Sequence, residues 1–318
     1  GDSLRMTAAL VNGGTGENLW AESYEGSLED IFTFQDAVLD ELVRILAVRL
    51  SPAERDRLGI HGTDDVVAYD NYLRGMELQN FLVPTANLDA EAAFREAIRL
   101  DPDYAAAHAY LSLVLSNSAE YGWAEDRRSA IKDAVFHANK AIELNPELPF
   151  ARLTQGRLKS RRFINDDAGA LEELQKAIDL DPEYIDAYAF KAIVLISSGR
   201  ADEAREAIEA AFERNPKPPY WYYVPRGISN YYLGNYEAAE AALLDVLERN
   251  PNSPHSMRTL IATYGRMGNV DEAEWMAMEY EALGHTATIS AIMESSAIDH
   301  EPYREAFSEG LRMAGLPE

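Results

Sequence analysis

Apolar positions recur at helical spacing over most of this chain, and one phrase returns through it. "AIRLDPDYAAAHAYL" (Ala97–Leu111) is followed by "AIELNPELPFARLTQG", "AIDLDPEYIDAYAFKA", "AFERNPKPPYWYY" and "VLERNPNSPHSMRTL". Each carries a proline directly after Asp or Asn: Pro102, Pro146, Pro182, Pro216 and Pro251, with gaps of 44, 36, 34 and 35 residues. Small residues stand 12 and 5 positions before each proline: Ala90/Ala97, Ala134/Ala141, Ala170/Ala177, Ala204/Ala211 and Ala239/Val246. Between them sits a larger apolar residue in four of the five, Phe94, Leu174, Ile208 and Leu243, with Ala138 the exception. Small side chains let paired helices approach. Proline then ends the second helix, because it has no N–H to donate and disfavours helix in the residue before it. In "GRADEA" (Gly199–Ala204) and "GNVDEA" (Gly268–Ala273), Gly is expected to end one helix and Asp to start the next.

The pattern predicts six helix pairs: 66–81 with 88–100, 104–118 with 127–144, 148–161 with 167–180, 184–198 with 201–213, 219–233 with 236–249, and 254–267 with 270–283. The gap of 44 reflects an insertion near Asn117–Ser129. A further pair, about 286–298 and 301–314, is expected to cap the stack, since an exposed terminal repeat needs a polar cover. A period near 34 with helix–turn–helix content resembles the tetratricopeptide repeat (TPR). That resemblance implies a mainly α fold, a TPR-like α–α superhelix, with an array over 66–285 and capping helices over 286–318. It also implies a concave groove lined by the first helices, which in such proteins commonly binds extended peptides.

Residues 1–58 do not repeat. "LRMTAALV" and "NLWAESY" read as strands joined through "NGGTGE", and Ser27–Leu50 as a strong amphipathic helix. Leu28, Ile31, Phe32, Gln35, Val38, Leu42, Ile45 and Leu46 trace its apolar face, and Ser27 with Asp30 stands at the capping-box spacing. "SPAERDRL" (Ser51–Leu58) reads as a short extra helix. The strands "R-x-T-A-x-L-V" (Arg5, Thr7, Ala8, Leu10, Val11) and "T-G-x-x-L-W-A-E-x-Y" (Thr15 to Tyr24), then "L-x-D-I-F-x-x-Q-D" (Leu28 to Asp36), resemble the end of a small TolB-like α/β domain. In bacterial multidomain proteins that domain lies between a class III adenylate/guanylate cyclase domain, or a DNA-binding domain, and TPR repeats. The tail "FSEGLRMAGLPE" is similar to the ends of such cyclase–TPR proteins. No segment here supplies a cyclase's paired metal-binding aspartates. The resemblance therefore implies a non-catalytic regulatory or interaction region of a larger signalling protein, not an enzyme. On this reading it is cytoplasmic, or periplasmic if the parent has an upstream transmembrane segment.

Candidate chemistry is sparse. The Gly-rich stretch Gly13, Gly14, Gly16 lacks the lysine and following helix of a P-loop, so it reads as a hairpin turn. There is no cysteine, and none of the six histidines forms an i,i+4 pair or an H-E-x-x-H motif, so no metal site and no cofactor is expected. A net charge of −25, from 54 acidic and 29 basic residues, repels nucleic-acid phosphates and anionic lipid, so neither nucleic acid nor membrane is expected as a direct partner.

Two stretches break the acidic background. "RLTQGRLKSRRF" is basic without an acid, and "YWYYVPRGISNYY" is aromatic. Both fall on first helices, whose positions 2, 5, 9, 12 and 13 face inward in the TPR register. These give a candidate partner-binding groove of Phe150, Arg157, Arg161, Trp221, Tyr231, Tyr232, Arg258 and Arg266. Arginine forks suit carboxylates and aromatic anchors suit interfaces, so the partner expected is a protein or an acidic peptide. The competing reading is internal: tyrosines pack between repeats and arginines pair with neighbouring glutamates. A third reading is homo-oligomerisation through the unpaired strand edges of residues 1–26.

Overall fold

The computed structural model describes residues 4–12, 15–27, 30–45, 62–296, 298 and 300–318. It divides into two compact units, Gly1–Pro146 and Glu147–Glu318. Gly13, Gly14, Leu28, Leu46, the Ser51–Leu58 segment and His61 lie outside the described residues.

The N-terminal unit opens with two antiparallel strands, β1 (Leu4–Val11) and β2 (Asn18–Gly26), with Leu4 opposite Gly26 and Leu10 opposite Trp20. Burial alternates along β1, as expected of a strand covered on one face. The connection is a turn: the Asn12 N–H donates to Glu17 O at 2.8 Å and the Gly16 N–H to Asn12 O at 2.7 Å, with Gly16 at φ +72°. Helix α1 (Ile31–Ile45) follows. The Ser27 N–H donates to Asp30 Oδ2 at 2.7 Å, which is one arm of the expected capping box. Tyr24 packs on Phe34, their ring centroids 5.7 Å apart. Then come α2 (Val66–Gln79) with α3 (Pro84–Leu100), and α4 (Ala105–Glu120) with α5 (Arg127–Leu144). Phe32 of α1 meets Tyr69 of α2 edge-on at 5.2 Å.

The C-terminal unit continues with α6 (Pro149–Lys159) and α7 (Asp167–Leu180), α8 (Ile185–Ser197) and α9 (Ala201–Arg214), α10 (Tyr223–Tyr232) and α11 (Tyr236–Arg249), and α12 (Pro254–Met267) and α13 (Val270–Ala282). Two further helices, α14 (Ile289–Ser295) and α15 (Glu301–Met313), end the chain. All lie within a few residues of their predicted places.

The proline rule holds at every repeat. The second helices end at Leu100, Leu144, Leu180, Arg214 and Arg249, each two residues before its proline. The residue between is driven out of helical geometry, with φ from −129° to −142° at Asp101, Asn145, Asp181, Asn215 and Asn250. Asp and Asn suit this position because the side chain can accept from the backbone two residues on. Asp101 takes the Asp103 N–H, Asp181 that of Glu183 and Asn215 that of Lys217, each at 3.0 Å.

The small residues of the repeat are fully buried, and so are Phe94, Leu174, Ile208 and Leu243 between them. Each of three large residues sits on a glycine of the facing first helix. A Cβ at Gly75 would stand 2.6 Å from the Phe94 ring, at Gly156 2.8 Å from Leu174, and at Gly227 2.6 Å from Leu243. One expectation needs correcting. Gly199 and Gly268 do end helices, at φ +76° and +78°, but the aspartates after them are not caps. Arg200 and Asn269 hold the N-cap positions without a side-chain bond, while Asp202 and Asp271 fall in the first turn, where their charge favours the helix dipole.

Candidate functional site

The C-terminal unit places the eight candidate residues in two groups. The first is a shelf built by successive first helices. Arg157, near the end of α6, sets its guanidinium 4.2 Å over the ring of Phe190 on α8. Phe190 meets Trp221 at 5.1 Å, and Trp221 sits in a single 3₁₀ turn, Tyr220–Tyr222, ahead of α10 and not within the helix as expected. Phe150 packs against the same buried cluster. Arg161 lies beyond the end of α6, in a turn that accepts the Ile164 and Asn165 N–H groups. Arg157, Phe190 and Trp221 are half-buried.

Arg152 and Lys159 of the basic stretch follow the internal reading. Glu173 on α7, only 6% exposed, takes Arg152 at 3.0 Å, Lys176 at 3.1 Å and Lys159 at 3.6 Å. Burial alone would push its carboxyl up. Hydrogen bonds from Lys176 and Arg152, with Lys159 near, outweigh that and hold it below the usual range.

The second group, Tyr231, Tyr232, Arg258 and Arg266, lies under the chain's own C-terminal segment. Tyr303 of α15 stacks flat on Tyr232, centroids 3.9 Å apart and planes 7° off parallel. The Tyr231 hydroxyl donates to Ala306 O at 3.0 Å, and Arg266 Nη2 donates to the same carbonyl at 2.7 Å. Burial pushes the Tyr231 hydroxyl up to about 12, against the pull of Arg266. Arg258 is 9% exposed, and no carboxylate pairs with it among the described residues. Its Nη1 donates to Ser295 O at 3.1 Å and Ser295 Oγ at 3.2 Å, and Arg162 Nη2 reaches Ser296 O at 2.6 Å. Both guanidinium groups thus meet the C-terminal carbonyls of α14, the negative end of that helix. Further along, the Ala201 N–H donates to Tyr303 Oη at 2.9 Å.

Two family models described as tetratricopeptide repeat match, one over residues 166–224 and the other over 225–283. Residues 166–283 of this chain are tetratricopeptide repeats. Among curated proteins it is 31% identical over 151 residues to a Rhizobium meliloti (strain 1021) protein named "Putative adenylate cyclase 3", across 48% of this chain and 26% of that protein. The chain thus corresponds to about a quarter of that relative's length. Among solved structures it is similar in fold to Pseudomonas aeruginosa PilF, at 16% identity and TM-score 0.51, over 76% of this chain and 96% of that one. A tetratricopeptide repeat protein of Parabacteroides merdae ATCC 43184 aligns at 16% identity and TM-score 0.49, over 77% of this chain and 93% of that one.

Tetratricopeptide repeats imply a protein–protein interaction module. Within them, sequence spacing found the shelf's arginine and indole but missed Phe190, which falls outside the 2, 5, 9, 12, 13 register. It also missed Tyr303, whose signal was its place on the apolar stripe of the last helix. Among the described residues no helix is long and apolar enough to cross a membrane, and no three His, Asp or Glu side chains converge as metal ligands.

Proposed function

We propose that this chain is the non-catalytic interaction arm of a bacterial nucleotide-cyclase-type signalling protein, and that its first-helix face receives a peptide or partner domain. The observation that carries the reading is the Arg157–Phe190–Trp221 shelf, a cation and two aromatic rings contributed by three successive repeats. Arginine and aromatic groups of this kind supply most of the energy at protein interfaces, and the guanidinium fork suits an acidic segment. The relative named as an adenylate cyclase supports the signalling context. The test is fluorescence anisotropy of a labelled Glu-rich peptide titrated with the chain. Arg157→Glu with Arg161→Glu is expected to abolish binding, and equal binding by that variant would remove the assignment.

A second reading rests on the N-terminal sheet, which has two strands among the described residues and so two outer edges. Pairing of one edge with another chain would make it a homo-oligomerisation element. Light scattering that reports a monomer would reject this reading. A parent with a DNA-binding domain upstream would instead make the chain the arm of a transcription regulator.

A further inference from the structure

The second group of candidate residues is already engaged, and what engages it describes the ligand the site accepts. Helix α15 presents Tyr303, Phe307, Gly310, Leu311 and Ala314, spaced i, i+4, i+7, i+8 and i+11, so one stripe of a helix. Phe307, Leu311 and Ala314 are buried among Tyr231, Leu260 and Ile261. The approach is close enough to need glycine on both sides. A Cβ at Gly265 of α12 would overlap Gly310 O and stand 2.6 Å from Ala314 N, and a Cβ at Gly310 would run into Tyr231 Oη and come within 3.0 Å of Ala262 O.

We propose that α15 is a removable plug on a helix-binding site, and that a partner helix with an aromatic–x3–aromatic–x2–glycine stripe takes its place. The proposal deepens the interaction reading above and rests on it for the existence of a partner. Three observations favour exchange over a fixed core contact. First, the charged contact on α15 is indifferent to sequence: Arg266 donates to the main-chain carbonyl of Ala306, and every helix carries such carbonyls, while Arg162 and Arg258 hold the end of α14 and stay behind when α15 leaves. Second, the fit is incomplete. Tyr232 Oη and His300 Nδ1 are buried in this contact without a hydrogen-bond partner, and such groups cost free energy that a better-matched ligand would recover. Third, α15 docks mainly on α12, itself already paired with α13, so its departure breaks no repeat pair. The site therefore selects a helix, with Tyr232 as its stacking platform and Gly265 as the point of closest approach.

The test uses the full chain and a labelled peptide of residues 300–318. Gly310→Gln in the chain raises helix propensity yet blocks docking, so it is expected to expel α15 and bind the labelled peptide at least tenfold more tightly than the wild-type chain. Adding Gly265→Ala to that variant is expected to abolish the binding, because its methyl group fills the point of closest approach. Equal affinity of the wild-type and Gly310→Gln chains would overturn the proposal. Should Gly310→Gln fail to fold, amide exchange on the wild-type chain decides. Amides of α15 are expected to exchange at least tenfold faster than those of α12, and exchange of both helices at one common rate would overturn the plug. Failure of the Glu-rich peptide titration removes the shelf reading and leaves this result intact, since the probe here is the chain's own helix.

Discussion

His108 and His137 lie inside the N-terminal unit, while Glu173 and Arg258 lie inside the C-terminal unit, and the two units hide these groups in opposite ways. The histidine rings face each other with Nδ1 atoms 2.8 Å apart, and His108 Nε2 lies 3.1 Å from Pro102 O. Two neutral rings satisfy this arrangement completely: His108 donates from Nε2 to the carbonyl, and its bare Nδ1 accepts from His137. A proton added to His108 Nδ1 would set two donors against each other, and one added to His137, at Nε2, would place a charge on a ring that burial and its histidine neighbour keep neutral. Glu173 and Arg258 are buried charged instead, the first against three cations and the second against the Ser295 carbonyl and hydroxyl and the His255 ring. The histidine pair excludes charge, and Glu173 and Arg258 surround it with partners. They must therefore differ in what a lost partner costs and in what acid does.

The largest expected effect is at Glu173. Glu173→Ala leaves Arg152, Lys159 and Lys176 crowded without their shared counter-ion. The loss is on the order of 3 kcal/mol, read as a lower urea midpoint for the C-terminal unit. A change below about 1 kcal/mol would mean that solvent already screens the cluster, and the contrast with the histidine pair would weaken.

Acid separates the histidine pair from the Glu173 cluster next. Burial, then His108 and Arg95, push the His137 imidazole down to about 4, against the opposing pull of Asp133. Burial lowers His108 too, with Lys140 adding to it and Pro102 O, Asp103 and Asp101 opposing. A histidine depressed in the folded state stabilises above its unfolded value, near 6.5, and that stability is lost as pH falls toward 4. The Glu173 carboxyl is also depressed, but its contribution is lost only below the ordinary carboxylate range. Between pH 6.5 and about 4.5 the histidine pair should weaken the N-terminal unit by roughly 2 kcal/mol. In the C-terminal unit the Glu173 cluster should not respond, whereas His255 at the start of α12, pushed down to about 4 by desolvation and by Arg258, should. Amide exchange at pH 7 and pH 5, corrected for intrinsic rates, should show lost protection in α4 and α5 with α7 unchanged. His137→Gln should flatten that dependence. Equal loss in α7 would remove the distinction.

The same contrast explains what could be read from the sequence. Repeat geometry was legible because one residue type does one job at each position: the proline ends the helix, the alanine admits its neighbour, and the Asp or Asn closes the turn. Glu173 was less legible, because its partners come from α6 and from its own helix, and a lone acid in a helix reads as a solvated face. The histidine pair was hidden by separation, 29 residues apart and on facing helices. The destination of α15 was hidden for a further reason. A terminal amphipathic helix has a stripe that any apolar face could cover, and only the facing glycines, Gly265 and Gly310, mark which one. Neither glycine belongs to a repeated phrase, so the period could not reveal them.

The smallest expected effect tests the carbonyl-facing arginines. Arg266 donates to Ala306 O, but Tyr231 donates to that oxygen as well. Arg266→Ala therefore removes a charge-assisted bond without orphaning its acceptor. A charged hydrogen bond contributes at most about 3 kcal/mol, and much of the penalty for breaking one comes from the partner left unsatisfied. With the carbonyl still served, the expected loss is about 1 kcal/mol, a third of that at Glu173, and a matching cost would show that the guanidinium acts on more than this carbonyl. Tyr231→Phe isolates the same oxygen from the other side and should cost no more. The double variant is the sharper measurement. With both donors gone the carbonyl keeps only the intrahelical N–H of Gly310 and its second lone pair is unserved, so the combined loss should exceed the sum of the single losses by about 0.5 kcal/mol. Strict additivity would mean that the Gly310 N–H alone satisfies Ala306 O, and that neither side-chain donor depends on the other.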